Sequence, residues 1–245
     1  MWYLELSEKF VQFEIQIYNL SMRVLFLGNL LKQFPHHLVA FGVINNVSVI
    51  SRNDATEKIL TDIYPEVIKK YKSKTLSLLN NSQAYENLAK ELGDHRFGFP
   101  YMQIRRVLSE KQIGNINNIV NQYMVYELLS NLSFSAYDLD MIEGEIHVEL
   151  ANQGETITLI GGEEKEVPNG DIVFRDTKGI FYSFSIGYAD RTKVATNTKN
   201  VLFTIDAPKG IDGKEVEENI KKLCGEFNSN KYYIVNGSTP SIEIN

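Results

Sequence analysis

The chain has 245 residues, 43% hydrophobic and 23% charged, close to globular averages, which excludes fibrous and disordered classes. That length holds one large domain or two small ones, with enough chain to bury a core. A net charge of −6 argues against tight, non-specific nucleic-acid binding, which needs a basic face, and leaves room for a weak or transient encounter through a local basic patch.

Met1 to Ser21 has no basic segment ahead of an apolar run, so it does not read as a signal peptide. The apolar-rich stretch from Ile17 to Leu31 carries Asn19, Arg23 and Asn29, which rules out a membrane span there. From Met22 the sequence reads as a natural beginning, a strand and then a short helix ending before Pro35. Residues 1–21 are therefore taken as an N-terminal extension and residues 22–245 as one domain. Leu38 to Ile50 is β-branched and apolar, interrupted at Asn45-Asn46, the pattern of a buried strand and a turn. Asp54 to Tyr71 spaces Ile59, Ile63, Val67 and Tyr71 as an amphipathic helix that Pro65 kinks or splits. Lys69, Lys70, Lys72 and Lys74 form the most basic run. Its simplest reading is cations at a helix C-terminus; the other is a contact to tRNA phosphates.

Ser82 to Leu92 is a further helix closed by Gly93. Asp94 to Pro100 is a loop, and Arg105 and Arg106 follow on a short helical piece. Asn117 to Ser130 is helical by the spacing of Ile119, Val120, Tyr123, Met124 and Leu128. After a Tyr-Asp-Leu-Asp corner at 137–140 the period changes to two: Ile146, Val148 and Leu150 alternate with Glu145, His147 and Glu149. Gly161-Gly162 and Asn169-Gly170 punctuate the strands at Thr156–Ile160 and Ile172–Phe174. Ile180–Ile186 and Val201–Ile205 are strands, Gly213 to Phe227 a closing helix, and Tyr232–Val235 and Ser241–Ile244 short strands. Helices and strands segregate, so the class is α+β, a single compact unit with a helical N-terminal part and mixed sheets.

Chemistry is sparsely marked. No Gly-rich phosphate loop, HExxH or GxSxG occurs, and the histidines are His36, His37, His95 and His147. His36 and His37 read as structural or surface residues, and no cofactor or metal is expected. Asp138 and Asp140 read as a turn device, with Asp138 accepting backbone N–H bonds. Glu163, Glu164 and Glu166 read as a solvated acidic hairpin tip. The lone cysteine, Cys224, can form neither an internal disulfide nor a cysteine zinc site, so a reducing, cytoplasmic setting is expected. Cys224 itself should pack as a small apolar residue in the closing helix.

Several words in order carry a resemblance: INNIV before the helix, AYDLDMIEG, GETITLIGG, EVPNGDIVFRD and TKNVLF. Over residues 116–206 the chain resembles the B3/B4 tRNA-editing module of the bacterial phenylalanyl-tRNA synthetase β subunit, and more closely the free-standing proteins built from that module alone. Looser matches extend from about Met22 to the helix at Gly213–Phe227. Nothing resembles a synthetase catalytic core, so aminoacylation is not expected. The resemblance implies a B3/B4-like fold whose pocket lies between the helix before the corner and the later strands. There, water hydrolyses tyrosine wrongly attached to phenylalanine tRNA, with no covalent nucleophile.

Carried over by motif, Asp190 in GYADRTKV takes the place of a family Glu that binds the tyrosine hydroxyl. Tyr123 and Met124 stand where the family has Thr and Asn, Ser135 where it has His, and Tyr188-Ala189 where it has Gly-Gly. The resemblance thus nominates Ser135 and Asp190 to orient water. It nominates Tyr123, Met124, Ser135, Gly187, Tyr188, Ala189, Asp190 and Thr192 to bind substrate, with Lys69, Lys70, Lys72, Lys74, Arg105 and Arg106 as tRNA contacts. A surface ion pair with Arg191 is the other reading of Asp190. Tyr123 and Tyr188 should shrink the pocket, so that its amino-acid-like ligand is smaller than tyrosine. Three functions follow: trans-editing hydrolysis of a mischarged tRNA acceptor end, a non-catalytic module sensing an amino acid or tRNA end, or a hydrolase of amino-acid derivatives independent of RNA.

Overall fold

A computed structural model describes residues 11–17, 20–26, 28–93 and 100–236. In chain order these form β1 (Val11–Ile17), β2 (Leu20–Phe26), α1 (Gly28–Gln33), β3 (Leu38–Ile44), α2 (Asp54–Thr61), α3 (Tyr64–Tyr71), α4 (Asn80–Glu91), α5 (Pro100–Leu108) and α6 (Asn118–Ser130). Then follow β4 (Ser133–Asp138), β5 (Ile146–Leu150), β6 (Thr156–Thr158), β7 (Glu164–Glu166), β8 (Ile172–Asp176), β9 (Gly179–Ser183), β10 (Gly187–Tyr188), β11 (Val201–Ala207), α7 (Gly213–Glu226) and β12 (Tyr232–Asn236). The loop expected at 94–100, with His95, and the strand expected at Ser241–Ile244 lie outside the described residues, apart from Pro100, which opens α5.

The strands make a six-stranded sheet in the order β1-β2-β5-β8-β9-β10, a four-stranded sheet β12-β3-β11-β4, and the small hairpin β6-β7. Pairing is antiparallel except between β2 and β5, whose chains are joined only after most of the helices have been built. No sheet closes into a barrel, and the α+β class stands. The boundary expected between residues 21 and 22 falls inside β2, and β1 pairs with β2 along its full length.

Strand β3 shows why the layers form. Its side chains alternate faces: Val39, Phe41 and Val43 join the core between the two sheets, with Phe26, Val148, Phe174 and Phe181. Ala40 and Ile44 point the other way, with Phe203, Ile205 and Phe134, and are covered by Val216, Ile220, Leu223 and Cys224 of α7. Each such apolar side chain contributes roughly 1.5–3 kcal/mol by leaving water. Between Phe41 and Val43, Gly42 lets α7 approach, because a Cβ there would stand 2.5 Å from the Cys224 Sγ. Cys224 is buried and packs as an apolar residue, its thiol pushed up to about 12 by burial.

A third core lies among the helices: Leu60, Val67, Tyr71, Ile104, Val107, Val125 and Leu128. Pro65 splits the amphipathic run into α2 and α3, where it sits in the first turn of α3 and needs no N–H partner. α2 begins with a capping box between Asn53 and Thr56. Helix α6 runs between this helical core and the four-stranded sheet, and the candidate site is built on it.

Candidate functional site

The Asn117 side chain caps α6, accepting from the Val120 N–H at 2.8 Å. The helix ends at Asn131, whose left-handed backbone (φ 59) returns an N–H to the Glu127 carbonyl at 2.8 Å. That turn folds β4 straight back beside α6. Consequently Tyr123 packs with Phe134 and its neighbours on the sheet side, while Met124 packs with the helical core. Met124, expected to line the pocket beside Tyr123, lies on the other flank of the helix, because adjacent helical residues diverge by about 100°.

Strand β10 reaches the same place from the far end of the six-stranded sheet. Gly187 opens it with φ 118, a backbone that a side chain would strain. Tyr188 then pairs with Tyr182 in β9 and lays its ring against Tyr182 and Tyr137, with centroids 5.5 and 6.2 Å apart. Its hydroxyl lies 3.1 Å from the Ser135 Oγ of β4, which donates to it. The segments 123–135 and 187–188 therefore do meet. Ser135 is buried, and Tyr123 and Tyr188 are half-buried. Burial pushes the hydroxyls of Tyr123 and Tyr188 well up; Tyr123 also feels Tyr188 and Glu127, and Tyr188 feels Glu127 and Asp206 against the lowering bond from Ser135.

The acid in this seam is Glu127, one helical turn beyond Tyr123. Burial pushes its carboxyl up to about 8, against the lowering pull of the Phe134 N–H. The sequence held a signal for it. Glu127 sits at i+4 from Tyr123, on the flank that turns toward the sheet, but a helix read from its apolar spacing passes over it.

Asp190 is elsewhere. After Ala189, whose N–H is bound by the Phe181 carbonyl at 2.9 Å, the chain enters a short 3₁₀ turn, Asp190–Thr192. This turn swings the Asp190 carboxylate to the surface, where it accepts from Lys193 Nζ at 2.7 Å and the Gly161 N–H at 3.3 Å. Lys193 first, and then that N–H, hold it below the usual carboxylate range. Asp190 is thus a surface ion-pair residue, and its partner is Lys193 rather than Arg191. Arg191 grips buried Asp176 with two bonds, 2.7 and 3.0 Å, and donates to the Gly179 carbonyl at 2.8 Å. Ala189 and Thr192 are buried, and both follow Tyr188 into the interior of the turn.

The remaining nominated residues lie apart from the seam. Lys69, Lys70, Lys72 and Lys74 are exposed at the end of α3, and Arg105 and Arg106 are exposed on α5. Lys70 donates to the Leu129 carbonyl, joined there by Tyr71 OH at 2.9 Å. Lys69 and Lys70 thus lie in the last turn of α3, where cations are favoured, and Lys70 also caps the C-terminus of α6. Arg106 donates to the Gln112 carbonyl at 3.1 Å. Asp138 acts as the turn device, accepting from the Asp140 N–H at 3.1 Å and from Thr198 Oγ1 at 2.6 Å. The acidic tip, Glu163 to Glu166, is exposed on the β6–β7 hairpin. Among the described residues, no group of three or more His, Cys, Asp or Glu could hold a metal ion.

A buried polar chain missed in the sequence lies behind the seam. Asp206 of β11 stands 2.6 Å from His37 Nε2 and accepts from Tyr182 OH at 3.2 Å. The Asp206 carbonyl accepts from Tyr85 OH at 2.7 Å, and Tyr85 OH in turn accepts from the Ser133 N–H at 2.7 Å. A carboxylate inside the apolar strand VLFTIDA was its sequence signal, since an unpaired charge there would be very costly.

Known proteins resemble this chain in sequence. A family model described as "B3/4 domain" matches residues 101–228. The phenylalanine–tRNA ligase beta subunit of Fusobacterium nucleatum is 32% identical over 123 residues, covering 50% of this chain and 14% of that protein. The same subunit of Vibrio parahaemolyticus is 27% identical over 176 residues, covering 71% of this chain and 22% of that protein. A crystal structure of an N-terminal fragment of the phenylalanyl-tRNA synthetase beta subunit from Pyrococcus horikoshii aligns with TM-score 0.42 and 12% identity, over 86% of this chain and 49% of that one. The chain spans under a quarter of the length of either curated relative.

Proposed function

This chain belongs to the B3/4 domain family, and on that premise we propose that it binds the aminoacylated 3′ end of a tRNA through the seam of α6, β4 and β10 without hydrolysing it. The observation that carries the reading is the split between the two residues nominated to orient water. Ser135 lies in the seam, bonded to Tyr188, whereas Asp190 lies on the surface, neutralised by Lys193. A water held by Ser135 has no Asp190 carboxylate opposite it. What stays in the seam is three hydroxyls (Ser135, Tyr188 and Tyr123), a protonatable carboxyl and aromatic walls, which suit recognition of a small amino acid on an ester. The acidic net charge fits a weak encounter with the RNA.

Trans-editing hydrolysis is the second reading, and Glu127 is what favours it. A carboxyl that titrates near neutrality beside a substrate ester is suited to general acid–base work.

A panel of correctly and wrongly charged tRNAs separates the two. The binding reading expects charged tRNA to be held more tightly than uncharged tRNA, with ester loss at the background rate. Tyr188→Phe and Ser135→Ala should each weaken charged tRNA by about tenfold, the equivalent of one hydrogen bond, and leave uncharged tRNA unchanged. Deacylation above background that disappears in Glu127→Gln would establish the second reading instead. Equal affinity for charged and uncharged tRNA would sink both.

A further inference from the structure

Lined in part by His37, and by none of the residues nominated for the seam, is a cavity of about 770 Å³. Three segments wall it: the end of α1 at Gln33 with the loop Phe34 to His37, helix α4 from Ala84 to Glu91, and the turn after β11 at Pro208–Gly210. Phe34, Pro35, Leu88 and Pro208 supply its apolar wall. Lys90 and Lys209, both exposed, stand at its mouth against one acidic residue, Glu91, in a chain of net charge −6. The volume falls in the range of pockets that hold small organic molecules, roughly 300–1,000 Å³.

The second observation is the histidine in its wall. His37 is 1% exposed, yet its Nδ1 has no hydrogen-bond partner, and Nε2 touches the Asp206 carboxylate at 2.6 Å without a well-aligned bond. Buried side-chain nitrogens are rarely left unpaired, because a lost bond leaves the desolvation of the group uncompensated. Asp206 is itself fixed by Tyr182, so the imidazole is braced from behind rather than free to turn to water.

We infer that this cavity is a second ligand site, for a small organic anion: a carboxylate or phosphate ester carrying an apolar or aromatic group. The anionic end pairs with Lys90 and Lys209 at the mouth, and the apolar body lies along Phe34, Leu88 and Pro208, with the His37 ring, held by Asp206, as part of the inner wall. The site is separate from the α6–β4–β10 seam and does not depend on what that seam binds.

Phenyl phosphate, phenylacetate, inorganic phosphate and neutral benzyl alcohol, each titrated into the full chain and followed by amide NMR, test it. Saturable shifts at Asn87, Lys209 and Gly210 are expected with one or both aromatic anions, at least about tenfold tighter than with inorganic phosphate or benzyl alcohol. Which aromatic anion wins distinguishes a phosphate ester from a carboxylate. Lys90→Glu with Lys209→Glu should weaken that binding by tenfold or more, and Asn87→Trp should fill the cavity and abolish it. All three positions are exposed, so these variants keep the fold, which an unchanged circular dichroism spectrum verifies. No saturable shift with either aromatic anion, equal binding of benzyl alcohol, or undiminished binding by the charge-reversed variant would each overturn the assignment.

Discussion

The turn at 189–193 and the seam it adjoins share a strand end, yet they treat a carboxyl in opposite ways. In the turn, Asp190 is solvated and paired with Lys193, so its proton is held less tightly than usual. In the seam, Glu127 is half-buried against the sheet, and desolvation makes it hold its proton far more tightly. The resemblance pointed to the turn. Placement sets how tightly each carboxyl holds its proton, because desolvation and a partnered charge push it in opposite directions.

The same turn divides a second way, between neighbours in sequence. Asp190 is at the surface, but Arg191 reaches inward to Asp176, whose carboxylate is fully buried and is also bound by the Glu143 and Lys178 N–H groups. Removing the guanidinium would leave that carboxylate buried without its counter-charge, and breaking such a pair costs about 3 kcal/mol or more. Arg191→Ala should therefore lower the unfolding free energy by roughly that amount in urea titrations, the largest single effect expected in this region. A loss within the scatter of an exposed substitution would mean that the turn is held by its backbone bonds alone.

Glu127 gives the next largest effect, and it appears as a pH dependence. Its folded carboxyl titrates near 8, above the ordinary value of about 4.3 in an unfolded chain. The folded state therefore keeps a proton that the unfolded chain gives up once the pH passes about 4.3. The stability this contributes is whole below that pH, falls between it and about 8, and is lost above. Glu127→Gln removes the titration. The variant should match the parent near pH 4 and exceed it by on the order of 2 kcal/mol near pH 9, a figure kept below the full linkage value because the residue is half-buried rather than enclosed. Parallel curves for the two proteins across that range would place Glu127 in water and weaken the contrast with Asp190.

How far the sequence carried follows the reach of each signal. Period-two alternation in β5 and the Pro65 break between α2 and α3 are set by residues within a few positions of one another, and the elements appear where the pattern puts them. The meeting of Ser135 with Tyr188 was legible only through the resemblance, since no local rule brings β4 to β10. The direction of a side chain leaving a turn was not legible at all. Whether Asp190 faces the seam or the β6–β7 hairpin depends on where Gly161 stands, which is fixed by strands far away in sequence. The place of Met124 is set by the rotation of α6: it diverges by about 100° from Tyr123, and with Tyr123 toward the sheet it packs in the helical core.

The smallest expected effect tests the comparison most directly. Asp190→Asn keeps the shape of the side chain, removes its charge, and still accepts from the Gly161 N–H. Exposed ion pairs between flexible side chains contribute little, and salt screens them. Asp190→Asn should therefore leave the urea midpoint unchanged and leave the affinity for charged tRNA unchanged, at low and at physiological salt, while Tyr188→Phe, two residues away, weakens that affinity. Because both substitutions sit on one short stretch, general damage to the turn would move them together. A separation between them assigns the recognition chemistry to the side of the turn that faces α6. If Asp190→Asn instead abolished discrimination of charged from uncharged tRNA, the carboxylate would have to leave Lys193 and enter the seam when the ligand binds, and the surface pairing would describe only the empty state.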